Sequence, residues 1–181
     1  MGRPPSIDRD RVLDIVEAIL LKEGTAALTI DAVARAAGIS KGGVQSRFGT
    51  KGDLIRMMEA RWSRDYDAEV AAIAGPSPSP LEAVRAHIAV SLDLDEAGQA
   101  RAAGMLAALI EARDHIASAK TWYQERFGGL DRQTPAGRRA WLVLMATEGA
   151  FMLRAFGFTD PSEAEMRDLI ADLHALMEGK I

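Results

Sequence analysis

The sequence predicts an all-α protein, with an N-terminal three-helix unit containing a helix-turn-helix, then a C-terminal helical bundle, about nine helices in total. Apolar residues recur at three- and four-residue spacing in successive segments, which is typical of one face of an α-helix. Residue types that favour helix N-caps precede many of these segments, and glycine or proline follows many of them. No segment shows convincing alternation of apolar and polar residues, the pattern typical of a half-buried strand.

The first predicted helix carries one apolar stripe and ends at Gly24, a residue type that favours the position after a helix. Three further helix starts follow within residues 28–51. Thr29, Ser40 and Thr50 each have a hydroxyl that can accept an N–H group left unpaired in a first helical turn. The predicted order is a helix over Thr29–Ala37, Gly38 in a turn, a helix over Lys41–Phe48, Gly49 in a second turn, and a helix over Lys51–Ala74.

Residues 75–80, Gly-Pro-Ser-Pro-Ser-Pro, predict a linker because each proline removes a backbone donor and disfavours helix in the residue before it. Five helices are predicted beyond it. The fifth begins with Ser79 as N-cap and Pro80 as first residue, and the ninth begins with the capping box of Ser162 and Glu165. The predicted bounds of the other three are roughly Gln99–Ile110, Asp114–Phe127 and Pro135–Gly157.

Composition narrows the possible functions. The 181 residues are 48% hydrophobic and include no cysteine, which excludes disulfides, thiolate catalysis and Cys-ligated zinc. The net charge of −4 is uneven: residues 1–64 hold 11 Lys and Arg against 8 Asp and Glu, whereas residues 65–181 hold 11 against 18. A basic head on an acidic body favours nucleic-acid binding by the head. No apolar run approaches the roughly 20 residues that span a bilayer, so we expect a soluble, cytoplasmic protein without a membrane partner.

The third predicted helix is the strongest candidate for contacting DNA. Val44 and Phe48 point inward one turn apart, which leaves a small, polar and cationic outer surface. Gly42 and Gly43 each weaken a helix by roughly 1 kcal/mol relative to alanine, and close approach of the backbone to a phosphate or base edge would explain them. The alternative is an ordinary polar helix face. The surface consists of Lys41, Gly42, Gly43, Gln45, Ser46 and Arg47.

The segment LTIDAVARAAGISKGGVQSRFGTKGDLI resembles the DNA-binding signature of the TetR family of bacterial transcription regulators. The resemblance implies a homodimer in which three N-terminal helices bind DNA and about six more bind a ligand and dimerise. It also implies phosphate contacts by Thr29 and Lys51 and entry of the third helix into the major groove. The expected DNA-binding residues are therefore Thr29, Ser40, Lys41, Gly42, Gly43, Gln45, Ser46, Arg47 and Lys51. The sequence departs from the common family pattern at Gln45, where an aromatic residue is usual, and at Gly49, where proline is frequent.

The C-terminal residues predict less. An apolar effector pocket could be lined by His87, Met105, Trp122, Trp141, Met145, Phe151 and Met152, although aromatic and methionine residues at helical spacing also fit a plain core. His87 and His115 could contact a polar ligand group or a metal, or be satisfied within the structure. The eighth and ninth helices could form the dimer interface through Ala146, Gly149, Ala150, Leu169 and Leu173, or these residues could serve only the core of one subunit.

The expected function is a repressor that a small, largely apolar effector releases from a pseudo-palindromic operator. An activator or ligand-independent regulator of the same fold, or a helical protein-interaction module, are the alternatives. An enzyme is not expected, because the sequence shows no phosphate loop, no nucleophile with an adjacent base and no metal cluster. No cofactor, catalytic residue or metal ligand is predicted. The predicted domains are a helix-turn-helix head (1–50), a connecting helix (51–74), a linker (75–80) and a ligand-binding and dimerisation bundle (81–181).

Overall fold

The computed structural model describes residues 8–111 and 113–181, with the side chains of residues 108–115 outside that description. Within these limits the chain forms α-helices, one short 3-10 helix over Thr25–Ala27 and no strand, which confirms the all-α prediction. The helices are α1 (Arg9–Glu23), α2 (Ile30–Ala37), α3 (Lys41–Phe48), α4 (Lys51–Ala74), α5 (Pro80–Leu92), α6 (Glu96–Glu111), α7 (Arg113–Phe127), α8 (Pro135–Ala155) and α9 (Glu163–Glu178).

Helix caps account for most of these bounds. The Ser40 hydroxyl accepts the Gly43 N–H at 3.0 Å, and Thr29 and Thr134 cap α2 and α8 in the same way. Reciprocal capping boxes begin α5 and α9, because Glu82 and Glu165 return a bond to the backbone N–H of Ser79 and Ser162. The predicted start signals therefore act as caps in the folded chain.

Two helix ends differ from the prediction. Helix α6 begins at Glu96, three residues before the expected Gln99, because the Asp95 carboxylate accepts the Gly98 N–H at 2.7 Å and caps an earlier turn. Helix α8 ends at Ala155 rather than reaching Gly157, whose positive φ of 69° is incompatible with helix. The 3-10 helix after Gly24 was not predicted, since a single turn leaves no periodic pattern.

The chain divides within α4 into two compact units, one ending at Ser63 and the other beginning at Arg64. The first unit encloses an apolar core from α1 to α4. Trp62 belongs to it and donates its indole N–H to the Glu17 carboxylate at 2.9 Å. The largest fully buried side chains of this core include Val12, Leu13, Val16, Leu28, Val33, Val44, Leu54 and Met58.

The second unit has its core between α5, α8 and α9, closed by the end of α7. Ala140 and Val143 are fully buried small residues on α8, and they let that helix pack closely against its neighbours. The main members of the core are Val84, Ile88, Leu92, Phe127, Leu130, Ala140, Val143, Leu144, Met166, Leu173 and Met177.

Candidate nucleic-acid interface and interior cluster

Helix α3 buries one face and exposes the other, as its sequence predicts. Val44 and Phe48 are 0% and 3% exposed, so two anchors hold a helix of only eight residues against the first unit. The outer residues are polar, small or cationic. Lys41, Gly42, Gln45, Ser46 and Arg47 are exposed, and Gly43 is half-buried.

Gly42 has no packing reason to be glycine. A Cβ placed there would meet nothing within 4 Å, and the residue has ordinary helical backbone. The fold would therefore accept alanine, which favours helix by up to about 1 kcal/mol. An outside demand on this surface, such as close approach of DNA, remains the best reason for the glycine.

Lys51 has a structural role that the sequence did not reveal. Its ammonium group donates a hydrogen bond to the Thr25 carbonyl at 2.5 Å, which ties the start of α4 to the 3-10 helix. The Lys51 side chain is half-buried, whereas Thr29 lies exposed at the start of α2. A phosphate contact by Lys51 must share this ammonium with Thr25.

The turn between α3 and α4 explains the departure from the family pattern at residue 49. Gly49 has φ 77° and ψ −130°, and a Cβ there would overlap the Asp53 carboxylate. Its N–H donates to the Gln45 carbonyl at 3.0 Å. Proline would remove that donor and is locked near φ −65°, so this chain builds the turn in a way that proline cannot.

The Asp53 carboxylate completes that turn by capping α4. It accepts the backbone N–H and the hydroxyl of Thr50 at 2.7 and 2.6 Å. These bonds, together with the nearby Arg56 guanidinium, lower the pKa of Asp53 from 3.8 to about 2. Thr50 and Asp53 therefore form a capping box, with the carboxylate held ionised.

The second unit contains a buried polar group that we call the interior cluster: Tyr66, His87, Ser91, Tyr123 and Glu148. The Tyr66 hydroxyl lies 2.7 Å and the Ser91 hydroxyl 3.1 Å from His87 Nδ1. His87 Nε2 lies 2.8 Å from a Glu148 carboxylate oxygen. His87 and Glu148 are only 2% and 8% exposed, so α4, α5 and α8 share one hydrogen-bond chain inside the protein.

Both tyrosines of the cluster are held as neutral phenols. Burial raises the pKa of Tyr66, and the Glu148 charge raises it further. Burial likewise raises the pKa of Tyr123, and the charge of Glu148 and a hydrogen bond with it add to the effect. Glu148 therefore lies near two phenols that do not ionise near neutral pH.

An aromatic and ionic layer adjoins the cluster. The Trp122 ring lies 4.8 Å from the Tyr66 ring, centroid to centroid, in an edge-to-face arrangement. The Arg126 guanidinium lies 4.4 Å from the centre of the Trp122 ring and forms hydrogen bonds to both carboxylate oxygens of Asp67. This ion pair joins α4 to α7, whereas the hydrogen bond between Tyr66 and His87 joins α4 to α5.

The residues predicted for the pocket do not gather in one place. His87 belongs to the interior cluster and Trp122 packs against it, whereas Met105 is half-buried on α6 and Trp141 stacks under Arg132. Met145 and Met152 are 43% and 39% exposed. Phe151 lines a crevice of about 10 Å³, roughly the room one water needs, with Ser91, Leu94, Gln99, Ala102, Arg154 and Ala155. His115 lies outside the described side chains.

The residues predicted for the dimer interface also differ in exposure. Ala146 is exposed, Gly149, Ala150 and Leu169 are half-buried, and Leu173 is 5% exposed within the core of its own chain.

The sequence did not single out four members of the interior cluster, Tyr66, Ser91, Tyr123 and Glu148. One signal was available: Glu148 lies four residues after the buried Leu144, so it places a carboxylate on the buried stripe of α8. Among the described residues, no group of three His, Asp or Glu side chains is placed to hold a metal ion.

Two models of known protein families match the chain, one within each unit. The family model described as "Bacterial regulatory proteins, tetR family" matches residues 13–58, which include α2 and α3. The model described as "Tetracyclin repressor-like, C-terminal domain" matches residues 81–178, more than half of the chain. The chain belongs to the TetR family. It is a DNA-binding transcriptional regulator with an N-terminal helix-turn-helix, as the resemblance implied.

Solved structures agree with the TetR fold. A transcriptional regulator from Rhodococcus sp. Rha1 matches with a TM-score of 0.67 at 21% identity, over 94% of this chain and 96% of that one. A TetR-family regulator from Pseudomonas syringae pv. tomato matches with a TM-score of 0.67 at 19% identity, over 97% of both chains. The TetR-family regulator PfmR from Thermus thermophilus matches with a TM-score of 0.60 at 16% identity, over 95% of this chain and 96% of that one. No curated protein matches by sequence.

No helix in the described part of the chain combines the length and the apolar character needed to cross a bilayer.

Proposed function

We propose that this TetR-family regulator is a repressor that a small, largely apolar molecule releases from a pseudo-palindromic operator. The DNA-binding part of the proposal rests on the outer face of α3, which is exposed, cationic and free of bulky apolar side chains, while Val44 and Phe48 fix its orientation. A helix with those properties fits the major groove. In this proposal residues 1–50 bind DNA and residues 81–181 bind the effector and dimerise. Helix α4 is the connecting helix between these two parts, and residues 75–80 form the linker after it.

Each residue of the face has a role that its chemistry suits. Gln45 pairs with an adenine edge, and Lys41, Ser46 and Arg47 contact bases or phosphates beside it. Gly42 and Gly43 let the backbone approach. Thr29 and Ser40 each use a hydroxyl oxygen as a cap acceptor, so each hydroxyl hydrogen can still be donated to a phosphate. Lys51 contacts a phosphate from the start of α4.

The interior cluster supports the ligand response. It joins Tyr66 of α4 to His87 of α5 and Glu148 of α8, and α4 is the helix that begins with Lys51. An effector that binds better to a rearranged cluster moves α4 and shifts the population away from the DNA-competent state by its differential affinity for the two states. Trp122 and Phe151 are the apolar contacts we assign to that effector.

A homodimer is proposed from the exposed face of α8. Residues 142, 145, 149, 152 and 156 follow the alternating three- and four-residue spacing of a helix-pairing seam. The four large residues among them, Leu142, Met145, Met152 and Phe156, are 39–58% exposed in the single chain. Gly149 lies at the centre of the seam, and a Cβ there would meet nothing within 4 Å. Two copies of α8 pairing about a two-fold axis would cover this surface.

The dimer is tested by charge placed in the seam. Leu142→Asp with Met152→Asp should yield a folded monomer in sedimentation at micromolar concentration, because two carboxylates cannot be buried unpaired between the helices. Ile73→Asp is the matched control, since Ile73 is equally exposed but lies on α4. A wild-type monomer, or a double variant that remains dimeric, would contradict the seam.

The effector is tested by linkage. Compounds that raise the melting temperature of the wild type should weaken its binding to genomic fragments selected by the protein itself, and saturating operator should weaken compound binding by the same factor. We expect Glu148→Gln to alter both effects together. Compounds that stabilise the protein and leave DNA affinity unchanged would indicate a ligand-independent regulator instead.

A further inference from the structure

A crevice in the first unit lies beside the end of the recognition helix α3. Arg9, the first residue of α1, lines it together with Arg47 and Phe48 of α3 and Met57 of α4. Its volume is about 350 Å³, and it is partly open to solvent. Phe48 is 3% exposed and Met57 half-buried, so the floor is apolar while both arginines are exposed.

Two guanidinium groups from different helices thus line one crevice. Among the described residues, Arg9 forms no ion pair, although Asp8 and Asp10 flank it in sequence. The Asp8 carboxylate is used at the N-terminus of α1, where it accepts the N–H groups of Asp10 and Arg11 at 3.0 and 3.4 Å. An anion with several acceptor oxygens can accept hydrogen bonds from guanidinium groups on two helices at once.

The position of Arg47 on α3 also favours a backbone contact. In a helix-turn-helix the first residues of the recognition helix contact base edges, and Arg47 is the seventh of the eight residues of α3. Guanidinium groups bind phosphate oxygens through paired N–H donors, and an apolar floor strengthens such charge-assisted bonds.

We propose that Arg9 and Arg47 form a clamp for one phosphate of the operator backbone. The clamp rests on the proposed DNA-binding role of α3 and extends the DNA surface to the start of α1. It assigns Arg47 to affinity rather than to base reading, which leaves Gln45, Lys41 and Ser46 to select the sequence.

The test is a fluorescence anisotropy titration of the full-length protein against two duplexes of equal length, a selected operator and its scrambled sequence, at several salt concentrations. Arg9→Ala and Arg47→Ala should each weaken binding to both duplexes by a similar factor, about 3- to 10-fold, and lower the slope of log affinity against log salt by about one. The ratio of operator to scrambled affinity should stay constant. Arg11→Ala is the matched control, because Arg11 is an exposed arginine two residues along α1.

The outcomes separate the proposals. Wild-type affinity and slope in Arg9→Ala would overturn the clamp, and a changed affinity ratio in Arg47→Ala would make that residue a base reader. A wild type that binds no duplex would instead contradict the DNA-binding role of α3. Inorganic phosphate at constant ionic strength supplies the remaining arm: phosphate that stabilises the wild type but not Arg9→Ala, combined with unchanged DNA binding in that variant, would identify a free-anion site and overturn the DNA clamp.

Discussion

The interiors of the two units differ in chemistry. In the described part of the first unit, Thr25 is the one buried polar residue among largely aliphatic and aromatic side chains, and every residue assigned to the α3 face except the half-buried Gly43 lies exposed. In the second unit, His87, Thr147 and Glu148 are buried within the bundle, and Tyr66 and Tyr123 join them. The first unit presents the α3 face from an apolar core, whereas the second contains a buried hydrogen-bonded cluster.

That difference has an energetic consequence. A well-packed apolar core resists rearrangement, whereas a buried polar network is stable only while each member has a partner. Among the described residues, the Thr147 hydroxyl is buried without a partner, one turn of α8 from Val143. The second unit is therefore the part in which a ligand offering or removing one hydrogen bond would have the largest effect.

The largest expected effect is on the interior cluster. Glu148→Ala removes the acceptor beside His87 and Tyr123 and should lower the free energy of unfolding by about 2–4 kcal/mol, the cost of leaving buried partners unpaired. Urea unfolding measures it, and Glu163→Ala, which removes an almost fully exposed carboxylate of α9, is the control. A loss equal to that of the control would abolish the contrast between the two interiors.

The next effect concerns the turn between α3 and α4. Gly49→Ala places a side chain on a residue with positive φ and brings its Cβ against the Asp53 carboxylate. We therefore expect strain to lower the free energy of unfolding by about 1–3 kcal/mol. Gly24→Ala provides a comparison, because Gly24 also has positive φ but has open space around it. Equal losses in the two variants would show that the Asp53 contact adds nothing.

Lys51 should affect both stability and affinity. Lys51→Ala removes the hydrogen bond to the Thr25 carbonyl, which should lower the free energy of unfolding by about 1 kcal/mol. It should also weaken binding to every duplex by the same factor, roughly tenfold. Gln45→Ala, by contrast, should change operator affinity without lowering the melting temperature, because the Gln45 side chain is exposed. If Lys51→Ala melts like the wild type, the bond to Thr25 has no structural weight.

The smallest expected change is at Gly42. Gly42→Ala should raise the free energy of unfolding by up to about 1 kcal/mol, since the added methyl group meets open space and alanine favours helix. The same variant should bind the operator more weakly, because the methyl group separates the backbone from DNA. Glu163→Ala, an exposed change on α9 outside the proposed dimer seam, should leave DNA affinity unchanged. An unchanged operator affinity in Gly42→Ala would show that DNA binding does not require glycine at this residue.

The sequence predicted what depends on local signals. Thr29, Ser40 and Ser162 begin helices through bonds to residues three positions away, so their patterns are readable without the fold. The interior cluster joins residues 21 and 61 positions apart, and no spacing rule predicts such pairs. The crevice at Arg9 is hidden for the same reason, because α1 and α3 meet only in the folded unit. The helix caps, the inward anchors of α3 and the family signature were enough for fold and class.

The most direct test of the account is the affinity of the full-length protein for a genomic fragment that it selects itself, measured with its Gln45→Ala variant between 50 and 200 mM salt. We expect wild-type affinity to fall steeply with salt, by about 0.9 log unit per log unit of salt for each phosphate contacted, and Gln45→Ala to lose preference at one base pair per half-site. Binding that ignores salt, or a base preference unchanged in Gln45→Ala, would contradict the assignment of the α3 face as the surface that reads DNA.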